Sequence, residues 1–163
     1  MISIIDNYLE KPYFEKLQSA FTSNRLSWYY NKHVASKGDK PVLGNYYFYH
    51  YFFNENRITS SDFNLLEPLL NKLNVRAIVN IKLNLYPQTQ KILKHALHTD
   101  HGFSLKSALY YVNTCDGYTY FKDKDKKVNS VANRIVLFDS SKYHHSTTTT
   151  NQNGRFTLNI NYF

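Results

Sequence analysis

An antiparallel β fold, a barrel or jelly roll with helices packed on one face, is predicted by three features of the sequence. Helix-like segments come early and strand-like segments follow, with no regular alternation of the two, which argues against a doubly wound parallel sheet. The strand-like segments are many, short and rich in β-branched and aromatic residues. Only five Gly and four Pro are present and no low-complexity linker divides the 163 residues, so one domain is expected over 1–163.

The elements follow in order. IIDNYLEKPYFEKLQSAFTS is expected to be helical, with Asp6 as its cap and Tyr8, Phe14, Leu17 and Phe21 at near-helical spacing. SSDFNLLEPLLNKL is expected to form a second helix, capped by Ser60 or Ser61, with Phe63, Leu66, Leu69, Leu70 and Leu73 as its apolar stripe. Strands are expected in LSWYYNKHV, NYYFYHYFF, VRAIVNIKLNLY, KILKHALHT, KSALYYVN, YTYFKD, KVNSV, NRIVLF and GRFTLNINYF, separated by polar or turn residues. The last is the most informative. Arg155, Thr157, Asn159 and Asn161 share one face, and Phe156, Leu158, Ile160 and Tyr162 share the other. The apolar face belongs to the core. The polar face, with one charge, fits either a solvent-facing strand or a strand lining a polar cavity.

Composition narrows the class of protein. Hydrophobic residues make up 42%, including fifteen Tyr and eleven Phe, which fits a folded domain and not a disordered chain. There is no apolar run of membrane-spanning length and no basic-then-apolar leader at Met1, so no membrane role is expected. The lone Cys115 has no internal partner for a disulfide, so a cytoplasmic location is expected. The net charge of +8 is compatible with an acidic partner, nucleic acid included, or with lysines scattered for solubility. The densest run, KDKDKK at 122–127, alternates in sign.

The chemistry-bearing residues fall in two stretches. His95, His98, His101, His144 and His145 are five of the seven histidines. His98 and Asp100 are two residues apart and point the same way on an extended segment. An imidazole and a carboxylate so placed can take adjacent corners of a metal octahedron. One further histidine would complete the facial triad of non-haem Fe(II) oxygenases. NRIVLFDSSKYHHSTTTT offers that histidine, as His144 or His145, where a strand returns. A dicarboxylic keto acid bound there needs a cation for its far carboxylate, and Arg155 is suited to it, since its fork accepts a carboxylate bidentately and stays charged. His95 is read as a surface or supporting residue facing away from His98, and His101 as a supporting or substrate-facing one.

This order, H-x-D, a distal His and then an Arg about ten residues on, resembles the 2-oxoglutarate/Fe(II)-dependent dioxygenases. The closer resemblance is to their prolyl 4-hydroxylase-like branch. ALYYVNTCDGYTYF resembles that branch's I-x-Y-L-N strand followed by G-G-x-x-x-F, VLFDSSKYH its aromatic-x-Ser-x-x-x-His approach to the distal ligand, and NLYP its Tyr-Pro segment. The resemblance covers Val75 to Phe163. It implies a double-stranded β-helix (jelly-roll) core over 75–163, with helical and β support over 1–74. It also implies His98, Asp100 and His144 as metal ligands, the spacing from Phe138 selecting His144 over His145. Arg155 and Tyr111 match residues that hold the cosubstrate's far carboxylate, Thr157 a hydroxyl placed for the same purpose in some relatives, and Tyr86 a pocket tyrosine. The family's paired glycines are Asp116-Gly117 here, and the segment between His98 and His144 is short. The second arginine of the superfamily's nucleic-acid demethylases is absent from RFTLNINYF.

The resemblance therefore implies hydroxylation of a C–H bond with Fe(II), 2-oxoglutarate and O2, with ascorbate as a further cofactor and succinate and CO2 as products. Its branch implies a peptidyl proline or another protein side chain as substrate. Two other classes are compatible with the residues: a non-enzymatic jelly-roll binding module, and a basic single-stranded nucleic-acid binder that stacks bases on exposed aromatics.

Overall fold

A computed structural model describes residues 2–34 and 44–163. In chain order the elements are β1 (Ser3–Ile5), α1 (Lys11–Thr22), β2 (Tyr29–Asn31), β3 (Tyr47–Asn54) and β4 (Arg57–Ile58). A 3-10 turn (Phe63–Leu66) then runs into α2 (Glu67–Lys72). The remaining strands are β5 (Ile78–Pro87), β6 (Lys106–Tyr111), β7 (Tyr118–Phe121), β8 (Lys126–Asn129), β9 (Arg134–Asp139), β10 (His144–His145) and β11 (Gly154–Tyr162). Strand pairing is antiparallel throughout these elements. The large sheet has the order β1-β9-β6-β11-β5-β3-β2, with β4 beside β3, and a small sheet has the order β10-β7-β8. The molecule is thus mainly β, with two antiparallel sheets and the helices early in the chain, as the segment pattern predicts. Among the described residues no helix is long and apolar enough to cross a membrane.

The two faces of the large sheet differ because side chains alternate along each strand. One face buries Phe52, Ile81, Leu83, Ala108, Tyr110, Ile135, Leu158 and Ile160. The helices cover this face. Leu17 and Phe21 of α1 are fully buried, with the Phe21 ring 5.5 Å from that of Phe52. Leu66 and Leu69 join them from the second helical segment. Each such side chain contributes about 1.5–3 kcal/mol by leaving water. A smaller cluster on the opposite face, Leu109, Tyr111, Phe121, Val128, Val136 and Phe138, packs between the large sheet and the small one.

Four expected elements differ. The second helix is a 3-10 turn running into α2, which begins at Glu67 with no side-chain cap, and not one helix capped by Ser60 or Ser61. The first helix starts at Lys11, with Pro12 in its first turn, and not at Asp6. Asp6 is instead ion-paired with Arg134, while residues 3–5 form an edge strand against β9. KILKHALHT forms no strand. It is tied to the rest by isolated bridges, Lys94 to Thr147 and His98 to His144. LSWYYNKHV contributes only the three residues of β2.

The chain between β1 and α1 is locked by Asn133. Its Oδ1 accepts from Leu9 N (2.8 Å) and from the Tyr110 hydroxyl (2.8 Å), and its Nδ2 donates to Leu9 O (2.8 Å). Its φ of 62° lies in the left-handed region, which asparagine tolerates better than most residues. Asn133→Ala should therefore lower unfolding free energy by about 2–3 kcal/mol in urea titration, since it strands buried polar groups at a positive φ. Asn133→Gly relieves only the backbone part and should recover only part of that loss.

Candidate metal centre

The polar face of β11 resolves inward. Arg155, Thr157 and Asn161 are buried, so the alternative of a solvent-facing strand falls. Together with β5 and β6 this face forms the floor of a narrow cleft of about 50 Å³. Its lining includes His98, Asp100, His144, Arg155, Thr157 and Tyr86.

His98 and His144 come from segments far apart in sequence and are joined directly. His98 N donates to His144 O and His144 N to His98 O, both at 2.9 Å. This reciprocal pair sets the two side chains on the same side, with ring centroids 4.5 Å apart. Asp100, two residues on, is held by its own N–H on Ser140 O (3.0 Å). One atom each from His98, Asp100 and His144 lies within 4.8 Å of the others, and His144 Nε2 is 3.6 Å from Asp100 Oδ1. Neighbouring groups fix which atoms are presented. His98 Nδ1 is 3.1 Å from Ala96 O and His144 Nδ1 2.9 Å from Lys142 O, so each ring donates there and offers Nε2 as a lone pair. Asp100 Oδ2 accepts from Asn159 Nδ2 (3.1 Å) and Ser107 Oγ (3.3 Å), which leaves Oδ1 toward the histidines. Two imidazoles and one carboxylate on a single face suit Fe(II) with positions left open.

His145 is not part of this group. Adjacent residues on a strand point to opposite faces, and its ring packs on Tyr120 (5.2 Å) and Tyr118 (6.0 Å). His95 is buried, not on the surface. Its Nδ1 meets Ser146 Oγ at 2.7 Å and its ring lies 5.1 Å from Tyr86. Burial and the nearby Arg155 charge hold its pKa down to about 3. Burial, followed by the His144 neighbour, also lowers that of His98. The His101 ring packs near Phe103 (5.4 Å), and His101 is not among the residues lining the cleft.

Arg155 is fully buried in the cleft. Its Nη2 donates to Thr119 Oγ1 (2.9 Å) and its Nη1 to Thr147 O (3.3 Å), while Nε has no partner among the described residues. The guanidinium stands over the rings of Tyr111 (5.4 Å) and Tyr86 (5.6 Å). Among the described residues no carboxylate pairs with it. A buried cation with no counter-charge is costly, and a bound carboxylate would offset that cost. Gly117 explains its close seating: a Cβ there would meet Arg155 Cδ at 2.6 Å and Thr148 O at 2.7 Å. Tyr86 and Thr157 line the cleft. Tyr111 is not among the lining residues but touches Arg155, its hydroxyl lying within reach of Thr119, Arg155 and Val128 O (3.5 Å). Burial raises the pKa of both tyrosines, which keeps them neutral donors.

The sequence singled out no role for Lys82, Asn84, Thr119 or Ser146, which line the cleft together with Asn159 of the polar strand face. Lys82 and Asn84 alternate with Tyr86 along β5, so the period-two pattern that singled out Arg155 and Thr157 pointed to them as well.

No protein-family model matches the chain, and no curated protein matches it. Solved structures do. An oxidoreductase of the 2OG-Fe(II) oxygenase family from Burkholderia pseudomallei aligns with a TM-score of 0.73 at 10% identity, over 99% of this chain and 84% of that one. The fold is that of the 2OG-Fe(II) oxygenases. A prolyl hydroxylase from Trichoplax adhaerens, in complex with a hypoxia inducible factor peptide fragment, shares this oxygenase fold with a TM-score of 0.63 at 17% identity, over 99% and 83% of the two chains. So does the non-haem α-ketoglutarate-dependent epimerase SnoN from nogalamycin biosynthesis, with a TM-score of 0.66 at 10% identity over 99% and 78%. Hydroxylase and epimerase on one fold mean that the fold alone does not decide the reaction.

The histidines imply a pH dependence in the metal-free protein. An unfolded histidine titrates near 6.5, whereas His95 is held down to about 3 and His98 is also lowered. Below pH 6.5 the unfolded chain binds protons that the folded one refuses, so stability falls with pH. Urea unfolding should show stability that is full above pH 6.5 and declines steadily toward pH 4. His95→Gln should flatten that decline.

Proposed function

We propose that the protein is an Fe(II)- and 2-oxoglutarate-dependent dioxygenase that hydroxylates a substrate C–H bond. The observation that carries this reading is a His98–Asp100–His144 face and a buried, unpaired Arg155 lining one cleft of an oxygenase fold. When bound, Fe(II), 2-oxoglutarate and O2 would supply the oxidising chemistry, with succinate and CO2 as by-products and ascorbate as a further cofactor. His98 Nε2, His144 Nε2 and Asp100 Oδ1 are the ligand atoms in this reading. The Ala96 and Lys142 carbonyls keep both imidazoles in the tautomer a metal requires. Asn159 and Ser107 hold Asp100 by its other oxygen and so fix its orientation.

Arg155 takes the far carboxylate of 2-oxoglutarate, replacing a missing counter-charge with a charge-assisted bond. Thr157 shares its strand face and lies in the same cleft, within the polar surroundings such a carboxylate needs. Tyr111, whose ring lies against the guanidinium, adds its hydroxyl to the hold on that carboxylate in this reading. Tyr86, its ring packed between Tyr47 and His95, presents a neutral hydroxyl to the same pocket. The substrate we infer is a peptidyl proline or another protein side chain, a reading supported by the peptide-bound prolyl hydroxylase among the structural neighbours.

The test is anaerobic. Wild-type protein with Fe(II) and 2-oxoglutarate should develop the weak visible charge-transfer band of the metal chelate. Asp100→Ala should show no band and form no succinate in air. Arg155→Ala should need at least about tenfold more 2-oxoglutarate for the same band, the worth of one buried charge-assisted contact. A wild type with no band would overturn the assignment. Mass spectrometry of peptides for a +16 Da product, with and without 2-oxoglutarate, then distinguishes hydroxylation from other outcomes.

A further inference from the structure

The cleft contains a second cation that the oxygenase reading does not use. Lys82 lies on β5, across from Asn159 of β11 on one side and Tyr51 of β3 on the other. Its side chain lines the same cleft as His98, Asp100 and His144. Its Nζ stands 5.6 Å from the Tyr47 ring centre and 5.9 Å from that of Tyr51. It is half-buried, and among the described residues no carboxylate pairs with it. A lysine serving only solubility would extend into water, as its flexible stem allows. Here two aromatic faces frame the ammonium while it remains in the cleft, and neither supplies a formal counter-charge.

The surroundings give this cation a direction. Tyr29, Tyr49 and Tyr51 continue the wall outward, with ring separations of 5.8 Å for Tyr29–Tyr49 and 5.2 Å for Tyr49–Tyr51. Tyr29 at the outer edge is 57% exposed. An aromatic path therefore runs from solvent at β2 to the ammonium beside the metal-binding face. Arg155, the other cation of the cleft, is held by Thr119 and Thr147, whereas among the described residues the Lys82 ammonium has ring faces and no hydrogen-bond acceptor beside it.

We propose that Lys82 recognises the substrate and takes an oxyanion group, a carboxylate or a phosphate, that the substrate carries close to the reacting carbon. This rests on the oxygenase reading, in which Arg155 is occupied by the cosubstrate and Lys82 is left for the other molecule. Tyr47 and Tyr51 position the ammonium, and Tyr49 and Tyr29 contact the rest of the substrate. A lysine suits this role because its point charge accepts either anion without the fixed fork geometry of arginine.

The test uses protein loaded with Zn(II), which is redox-inert, and saturated with 2-oxoglutarate. The ε-carbon signals of ¹³C-labelled lysine are followed by NMR, with that of Lys82 assigned from its loss in Lys82→Met. Acetate and methyl phosphate serve as probes, and acetamide as the neutral isostere. The expected result is a saturable shift of the Lys82 signal with at least one of the two anions and none with acetamide. The preferred anion tells carboxylate from phosphate. Lys82→Arg should retain anion binding, read from the tyrosine signals, while Lys82→Met should weaken it about tenfold or more. No saturable shift with either anion overturns the proposal, as does a shift that appears only when 2-oxoglutarate is omitted, because Lys82 would then serve the cosubstrate. A failure of the oxygenase reading looks different: the loaded protein would not bind 2-oxoglutarate at all, whatever Lys82 does with acetate or methyl phosphate.

Discussion

Strand β11 is hydrogen-bonded to β5 along its length on one side and to β6 on the other. Everything else follows from the alternation this double pairing enforces. A slip of one residue would turn Arg155, Thr157 and Asn159 into the helix-covered core and push Leu158 and Ile160 into the cleft. Neither side could tolerate that exchange, so the apolar packing under the helices and the polar chemistry of the cleft specify one register between them. The bulk of the stabilising burial lies on one face of the sheet and the proposed chemistry on the other. The strand therefore places Arg155 without relying on bonds to the guanidinium itself.

The two cations of the cleft differ in a way that matters. Arg155 is fully buried and tethered, with its charge unpaired among the described residues. Lys82 is half-buried, with its ammonium near the rings of Tyr47 and Tyr51. In a low-dielectric cleft such charges cost free energy in the empty protein and make anionic occupants bind more tightly. Asp100 is the one carboxylate among the lining residues, and Asn159, Ser107 and the two histidines surround it. One end of the cleft is thus built for a cation and the remainder for anions.

Much of this could be read from the chain. His98, Asp100, His144 and Arg155 are legible because their spacings express strand geometry directly: two apart on an extended segment, or alternate along β11. The choice of His144 over His145 as the member of the cluster follows from the same alternation. KILKHALHT misled because its extended shape is imposed from outside. Leu93 N bonds to Thr148 Oγ1 and His95 to Ser146, contacts that local propensity does not encode. Asp6 has the chemistry of a helix cap, but Arg134, distant in sequence, claims its carboxylate. Alternation along β5 puts Lys82 on the face of Tyr86, but an isolated lysine on a strand is ordinarily a surface residue, and the rings of Tyr47 and Tyr51 beside its ammonium come from a strand distant in the chain that local sequence does not reveal.

The reciprocal backbone bridge between His98 and His144 has a consequence for synthesis on the ribosome. His98 and Asp100 emerge before β6, β7, β8 and β9, and β5 waits longer still for β11 to pair with it. Until then β5 presents a long unpaired edge beside β3, a vulnerable template for pairing with other chains. Polar Asn80, Lys82 and Asn84, which later line or border the cleft, alternate along that edge and keep it from being uniformly apolar. Asn80, Lys82 and Asn84 thus keep one face of β5 polar before β11 pairs with it as well as after.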